Sequence, residues 1–400
     1  MRTRRYQVRK DTLAVVDRGH PWIFREQLSS AAGVFADGDW LKLVDGTNKV
    51  IAHGIYEASG AIAIRIMRRG PQPVDAVFIK AQLAAAIAKR TALASTTDGI
   101  RLVNGESDGI PAVVIDRFGD DLVIASYSAG ADAIARYAGR VLGATAGDIV
   151  GPARSITLRP ARRRQRGVAS ELPQRRVLRG TPSEIARFVE DGANYAVDLA
   201  EGHKTGAYLD LRGLRRGLGS WTDGTVAVNP LRDARVLNLF AYTGMLARAA
   251  EHAGAQSITS VDASERALAF AAEYHVDDRE RHQFVTADVF EWLPALSESE
   301  QFDLVIVDPP SMTSNKTQVP GALNAYRKLY KAAARHVRPS GAIVAACCTS
   351  RIERAEFHHA VSEALGHRFK KTRELTPEVD HPVGFPQADY LKIAWWRRTV

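Results

Sequence analysis

From about residue 188 onward, the chain alternates short apolar runs with segments of helical periodicity. The predicted strands cover residues 236–240, 257–262, 282–286, 302–307 and 342–346, and the predicted helices cover residues 245–253, 264–276, 289–296 and 322–337. A closing pair of strands is predicted at 368–375 and 390–396. Because parallel strands must be joined by crossover connections, usually helices, this pattern predicts an α/β fold with a doubly wound parallel sheet.

The length of 400 residues favours two or three domains over a single core. Residues 1–70 combine short β-like runs with turn signals, which predicts a small β-barrel. Residues 71–187 mix helical and strand patterns and predict a central α+β domain. Residues 188–400 then form the domain that carries the doubly wound sheet.

Composition indicates a soluble protein, since 46% of residues are hydrophobic and 25% are charged. The use of cysteine indicates a reducing compartment. No apolar stretch approaches the roughly 20 residues that span a bilayer, and no apolar segment follows the basic N-terminus as in a secretory signal. The two cysteines are adjacent, Cys347 and Cys348, and cannot supply a disulfide framework. We therefore expect a cytoplasmic protein with no membrane partner and, without Cys or His clusters of zinc-like spacing, no metal site.

The positive net charge of +9 is concentrated in one segment. Residues 151–187 contain ten arginines, no lysine and two acidic residues. The densest group is Arg162, Arg163, Arg164 and Arg166. Such a patch attracts phosphate backbones, because each neutralised phosphate releases a counterion. The segment predicts RNA binding, with a solvated basic loop as the alternative.

The ends of the predicted strands carry the residues of a nucleoside site. Tyr242, Thr243 and Gly244 form the turn after the first strand, and Gly permits a ligand to approach the backbone closely. Asp262, followed by Ala263, ends the second strand, where a carboxylate can hold the hydroxyls of a ribose. Asp288 follows the third strand, within reach of an adenine amino group.

These features fit a nicotinamide enzyme as well as a methyltransferase. The second and third glycines of the G-x-G-x-x-G pattern are missing, which favours S-adenosylmethionine over a dinucleotide. For both Asp262 and Asp288, capping of the following helix is the alternative interpretation.

An acid and a thiol follow the last two parallel strands. Asp308 begins Asp-Pro-Pro after the fourth strand, and Cys348 follows the fifth. Carbon 5 of a pyrimidine is a poor nucleophile, and a thiolate that adds to carbon 6 activates it. Cys348 is the candidate nucleophile, while Asp308 is placed to stabilise charge on a cytosine ring. Cys347 is interpreted as a small packing residue.

The ordered motifs of the chain resemble those of bacterial large-subunit ribosomal RNA methyltransferases that make 5-methylcytosine. The matching segments are residues 20–24, 104–111, 116–119, 202–212, 237–244, 308–310 and 380–382. The resemblance implies an N-terminal PUA domain, a central α+β domain and a Rossmann-like methyltransferase domain that uses S-adenosylmethionine. It also implies that Cys348 is the nucleophile and that Lys204, Asp210 and Arg212 lie beside the methyl donor.

The chain departs from this family in two places. Ser311-Met312 follows Asp-Pro-Pro where the family commonly has Lys-Phe, and residues 314–316 resemble a guanine-N7 branch that lacks the Cys. Residues 162–167 are basic where the family tends to be acidic. We therefore expect a cytosine-C5 methyltransferase of ribosomal RNA, with a guanine-directed enzyme and a non-catalytic RNA-binding assembly factor as alternatives. The oligomeric state stays open, with a homodimer among the candidates.

Overall fold

The computed structural model describes residues 3–29, 34–145, 152–160, 175–202, 205–219, 231–313 and 315–399. The chain divides into two compact units. The first unit comprises Met1–Glu190, Val197–Leu209 and Val379–Phe385, and the second comprises Asp191–Ala196, Asp210–Glu378 and Pro386–Val400. The division of the sequence into three domains stays a prediction.

The first unit begins with a five-stranded sheet in the order β1-β3-β4-β5-β2. Its elements are β1 (Arg4–Gln7), α1 (Lys10–Asp17), β2 (Trp22–Phe24), β3 (Trp40–Val44), β4 (Val50–Tyr56) and β5 (Ile62–Arg69). Leu41 and Leu43 are fully buried, whereas Lys42 between them is exposed. This alternation fits a sheet with one face on the core.

A second five-stranded sheet of the first unit has the order β10-β9-β8-β7-β6. Its elements are α2 (Ala76–Ala88), β6 (Gly99–Asn104), β7 (Val113–Phe118), β8 (Asp121–Ser126), α3 (Asp132–Thr145), β9 (Ser155–Arg159) and β10 (Arg176–Gly180). The strands β11 (Ile185–Glu190) and β12 (Ala193–Asp198) follow. Helix α2 begins at a cap, because the Asp75 side chain accepts a hydrogen bond from the Phe78 N–H.

A buried ion pair anchors the central part of the first unit. Arg90 and Asp108 are both fully buried, and Arg90 Nη2 lies 2.6 Å from Asp108 Oδ2. Arg90 also donates to the carbonyl oxygens of Arg101 and Asp380, at 3.0 and 3.1 Å. Asp380 in turn accepts a hydrogen bond from the Arg101 N–H. The segment around Asp380 is therefore held in the first unit although it lies near the C-terminus.

The second unit contains a seven-stranded sheet in the order β15-β14-β13-β16-β17-β19-β18. Its strands are β13 (Arg235–Leu239), β14 (Ser257–Asp262), β15 (His282–Thr286), β16 (Phe302–Val307), β17 (Val337–Cys348), β18 (Phe369–Glu374) and β19 (Leu391–Arg398). Its helices are α4 (Arg212–Gly219), α5 (Met245–His252), α6 (Glu265–Tyr274), α7 (Val289–Ala295), α8 (Val319–Ala334) and α9 (Arg354–Leu365).

Strands β13 to β17 are parallel to one another, and β19 pairs antiparallel with both β17 and β18. The predicted doubly wound sheet and its closing pair of strands are therefore confirmed. Helix α8 ends three residues before the predicted helix does, because β17 already begins at Val337. Within the described ranges, no helix combines the length and the apolar character needed to cross a membrane.

We expect Asp108→Asn to reduce the free energy of unfolding by about 3–5 kcal/mol, because it leaves the buried Arg90 charge without a carboxylate. The matched control is Asp11→Asn, which breaks an exposed pair with Arg9 and should cost less than about 1 kcal/mol. Urea-induced unfolding of the full chain measures both changes. Equal decreases in the two variants would contradict the role given to the buried pair.

Candidate active site

The carboxyl edge of the second unit's sheet carries most of the predicted site residues. The turn 242–244 follows β13, Asp262 is the last residue of β14, and Asp288 follows β15. Asp308 follows β16, and Cys348 is the last residue of β17. Because β13 lies between β14 and β16, strand order reverses there, and ligands of open α/β sheets bind at such a reversal.

The turn after β13 has a backbone that strongly favours glycine at its end. Gly244 has a φ of +79° and stands immediately before α5. A Cβ atom at this position would lie 2.6 Å from the Cβ of Ala271. Tyr242 also has a positive φ, of 46°. The turn therefore brings its backbone close to helix α6, and a larger residue at 244 would push it away.

Asp262 binds this turn to the sheet. Its Oδ2 accepts the Tyr242 N–H at 2.8 Å, and its Oδ1 accepts the Ser264 N–H at 2.8 Å. Ser264, rather than Asp262, is the N-cap of α6, since its side chain accepts from the Ala267 N–H. Each carboxylate oxygen has a further lone pair, so Asp262 can still accept hydrogen bonds from a ligand. The neighbouring Ala263 is exposed.

Asp288 caps helix α7, because its Oδ1 accepts the Phe290 N–H at 2.8 Å. Asp288 therefore caps α7, as the alternative interpretation of this residue predicts. Asp288 is exposed at the sheet edge, and a cap uses only part of the accepting capacity of a carboxylate. The capping contact leaves a ligand-binding role open.

The two cysteines at the end of β17 have different surroundings. Cys347 is fully buried in an apolar cluster with residues of α8 and α9, and burial raises the pKa of its thiol. Cys348 is partly exposed. Successive side chains of a strand point to opposite faces, so the two thiols face different sides of the sheet. Asp308, partly buried, follows the neighbouring strand β16.

A phenol packs against Cys347 from helix α8. Tyr326 is fully buried, and burial together with the nearby Cys347 raises the pKa of its hydroxyl. Tyr326 therefore stays neutral and is an uncharged neighbour of this part of the sheet edge.

His275 hydrogen-bonds the turn after β13, and no motif in the sequence predicts this role. Its Nε2 lies 2.9 Å from the Ala196 N–H, which can only donate, so Nε2 accepts and Nδ1 carries the proton. Nδ1 then donates to the Thr243 carbonyl oxygen. Burial lowers the pKa of His275 to about 4, and the ring is neutral at neutral pH.

The remaining predicted site residues either lie outside the strands of the sheet, as Asp210 and Arg212 do, or lie outside the described residues. Asp210 Oδ2 accepts a hydrogen bond of 2.7 Å from the Tyr390 hydroxyl. Arg212, at the start of α4, is fully buried and lies 4.0 Å from Glu378. Lys204, Arg162, Arg163, Arg164 and Arg166 lie outside the described residues.

Two family models match the chain. One, described as an S-adenosylmethionine-dependent methyltransferase, covers residues 162–390, and the other, described as a PUA-like domain, covers residues 7–69. The predicted PUA-like domain and the predicted cofactor, S-adenosylmethionine, are thereby confirmed.

Similar proteins span nearly the whole chain. The ribosomal RNA large subunit methyltransferase of Deinococcus radiodurans is 32% identical over 98% of this chain and 96% of its own length. Ribosomal RNA large subunit methyltransferase I of an Escherichia coli strain is 32% identical over 94% of each chain. A solved structure of a protein described as a putative methyltransferase, complexed with SAH, is 21% identical, covers 99% of this chain and 100% of its own, and has a TM-score of 0.82, which shows the same fold.

Protonation of His275 is expected to destabilise the protein. Its pKa is about 4 in the folded chain and about 6.5 in an unfolded one, so only the unfolded chain binds the proton between these values. As pH falls from 6.5 to 4, this residue should remove about 3 kcal/mol from the free energy of unfolding. His275→Gln should flatten that interval in urea-unfolding curves. His359→Gln, at an exposed histidine, is the control, and an unchanged slope in His275→Gln would contradict the assignment.

Proposed function

We propose that this chain, which belongs to the ribosomal RNA large subunit methyltransferase family, methylates carbon 5 of a cytosine in large-subunit ribosomal RNA. The covalent nucleophile in this proposal is Cys348. One observation carries it: an acid, Asp308, and a partly exposed thiol, Cys348, end two adjacent parallel strands, β16 and β17. Both therefore stand at the edge that also carries the Gly244 turn.

Cys348 acts first in this mechanism. Its thiolate adds to carbon 6 of the cytosine, so that an S–C bond forms and the electrons of the C5–C6 double bond move onto carbon 5 and the ring. The carboxyl group of Asp308 accepts a hydrogen bond from the 4-amino group and, when protonated, donates one to N3. These contacts stabilise the charge that develops on the ring.

When bound, S-adenosylmethionine would supply an electrophilic methyl group to carbon 5, with the bond between methyl and sulfonium sulfur breaking and S-adenosylhomocysteine as the leaving group. A base then removes the carbon 5 proton, the double bond re-forms, and the C6–S bond breaks to return the Cys348 thiolate. The target base must be unpaired or extruded for Cys348 to reach carbon 6.

The turn and the acids at the sheet edge are the proposed binding site for the donor. Gly244 lets the turn pack closely against helix α6, and Asp262, which holds this turn, is the proposed acceptor of hydrogen bonds from the ribose hydroxyls. Asp288 is the proposed acceptor for the adenine amino group. The family resemblance adds Lys204, Asp210 and Arg212 to this site, and Asp210 is oriented by its hydrogen bond with Tyr390.

Recognition of the RNA is assigned to the N-terminal half. The PUA-like domain at residues 7–69 and the arginines of residues 151–187 are the proposed contacts. A ribosomal substrate is consistent with the expected cytoplasmic location, and association as a homodimer stays a prediction.

We expect Cys348→Ala to abolish methylation, because carbon 5 then has no activating adduct. The matched control is Cys347→Ala, at the buried neighbour, which should retain activity. Mass spectrometry of nucleosides from large-subunit ribosomal RNA measures the product. With RNA that contains 5-fluorocytidine, carbon 5 has no proton to lose, so the wild-type chain should remain attached through Cys348.

Three results would contradict the cytosine mechanism, and a fourth would reassign its nucleophile. Full methylation by Cys348→Ala would exclude the covalent step, and a methylated guanine as product would favour the guanine-directed alternative. Tight RNA binding without any methyl transfer would favour the assembly factor. An adduct mapped to Cys347 would move the nucleophile to that residue.

Reversing the charge of Arg162, Arg163 and Arg164 to Glu should weaken RNA binding at every salt concentration. The slope of log affinity against log salt should fall by roughly the number of phosphates that these arginines no longer neutralise. Filter binding between low and physiological salt measures the slope, with a Lys328→Glu, Lys331→Glu, Lys370→Glu variant of exposed lysines in the second unit as a control of equal charge change. An unchanged slope would assign the arginines to solvent.

A further inference from the structure

Lys392 is a buried lysine whose charge no element of the proposed mechanism uses. It lies in β19, is 1% exposed, and stands opposite Cys347 in the pairing of β17 with β19. Removing an ammonium group from water costs several kcal/mol unless its environment compensates. Such a residue therefore needs partners of its own.

The hydrogen bonds of Lys392 join the end of β17 to the start of β19. Its Nζ donates to the Thr349 carbonyl oxygen at 2.5 Å and to the Tyr390 carbonyl oxygen at 3.3 Å. Thr349 directly follows Cys348, and the two strands pair as far as Cys348 and Leu391. The ammonium group thus holds the backbone immediately beyond the proposed nucleophile.

Charged and titratable groups surround Lys392 on several elements. Burial lowers the pKa of Lys392, and Arg354 at the start of α9 acts in the same direction. Cys347, Asp389 and, more weakly, Cys348 favour its charged form. Asp308, Tyr326 and Tyr330 are further titratable groups that lie near Cys347.

Lys392 shares a face of the sheet with its pairing partner Cys347, and its ammonium group comes near Cys348 at the strand end, where it bonds the Thr349 carbonyl oxygen. Cys347 has no exposed area and lies in an apolar cluster, so its thiol form is favoured. Cys348 is partly exposed, so solvent and reagents can reach its thiol. A nearby fixed cation favours a thiolate over a thiol.

We infer that Lys392 is a positioning residue that holds the Cys348–Thr349 backbone and stabilises the Cys348 thiolate with its buried charge. The inference rests on the proposed function, because addition to carbon 6 requires a thiolate. It goes beyond that function by naming the cation that makes one available near neutral pH.

The test measures the pH dependence of iodoacetamide alkylation at each cysteine of the full chain, resolved by peptide mass spectrometry. Lys392→Gln keeps hydrogen-bond donors but loses the charge, and Lys392→Met loses both. We expect both variants to slow Cys348 alkylation near pH 7 by about tenfold, a shift of about one pH unit. Lys392→Arg should restore the profile. The exposed Lys370→Met, in the same sheet, is the control.

A wild-type profile in Lys392→Gln would overturn the inference, because the hydrogen bonds alone would then suffice. If the variants fail to fold, the wild-type chain still decides: a Cys348 thiol that titrates at or above about 8.5 overturns the inference. Alkylation needs neither RNA nor methyl transfer. A Lys392-dependent profile therefore supports the inference even if 5-fluorocytidine traps no adduct, and a profile independent of Lys392 overturns it even if an adduct forms.

Discussion

The reversal of strand order at β13 is the constraint on which the second unit depends. The chain builds β14 and β15 on one side of β13 and then returns to build β16 and β17 on the other. The crossovers after β13 and β16 therefore lead to opposite sides of the sheet, and their turns separate at the carboxyl edge. The Gly244 turn and Asp308 border that opening, and Asp262 binds the turn to the sheet through the Tyr242 N–H.

The two cysteines at the sheet edge lie on opposite faces of the sheet and differ in burial. The period of two along β17 places Cys347 among apolar side chains and Cys348 on the other face. Lys392 contacts both regions, because it pairs with Cys347 across the two strands and hydrogen-bonds the carbonyl of Thr349, the residue after Cys348. A buried apolar cluster beneath the edge thus packs against both the proposed nucleophile's strand and the residue proposed to stabilise its thiolate.

Polar groups buried far from solvent give each unit its specific arrangement. In the first unit, Arg90 has partners on Asp108, Arg101 and Asp380, so the ion pair also fixes a segment close to the C-terminus. In the second, the neutral His275 joins the Ala196 N–H to the Thr243 carbonyl. Such groups are costly to bury alone, which makes alternative packings unfavourable.

The pattern of residues along the chain is sufficient to predict the fold class and the members of the sheet edge. Strand and helix periodicity predicts the parallel sheet, and strand ends share an edge, so Gly244, Asp262, Asp308 and Cys348 could be grouped without coordinates. The side chains that support these residues are set by tertiary packing. Three buried side chains bond to partners distant in sequence: His275 to residue 243, Lys392 to residue 349, and Arg90 to residue 380. Local periodicity reports which face a residue occupies, whereas the partner of a buried polar group depends on how distant segments pack.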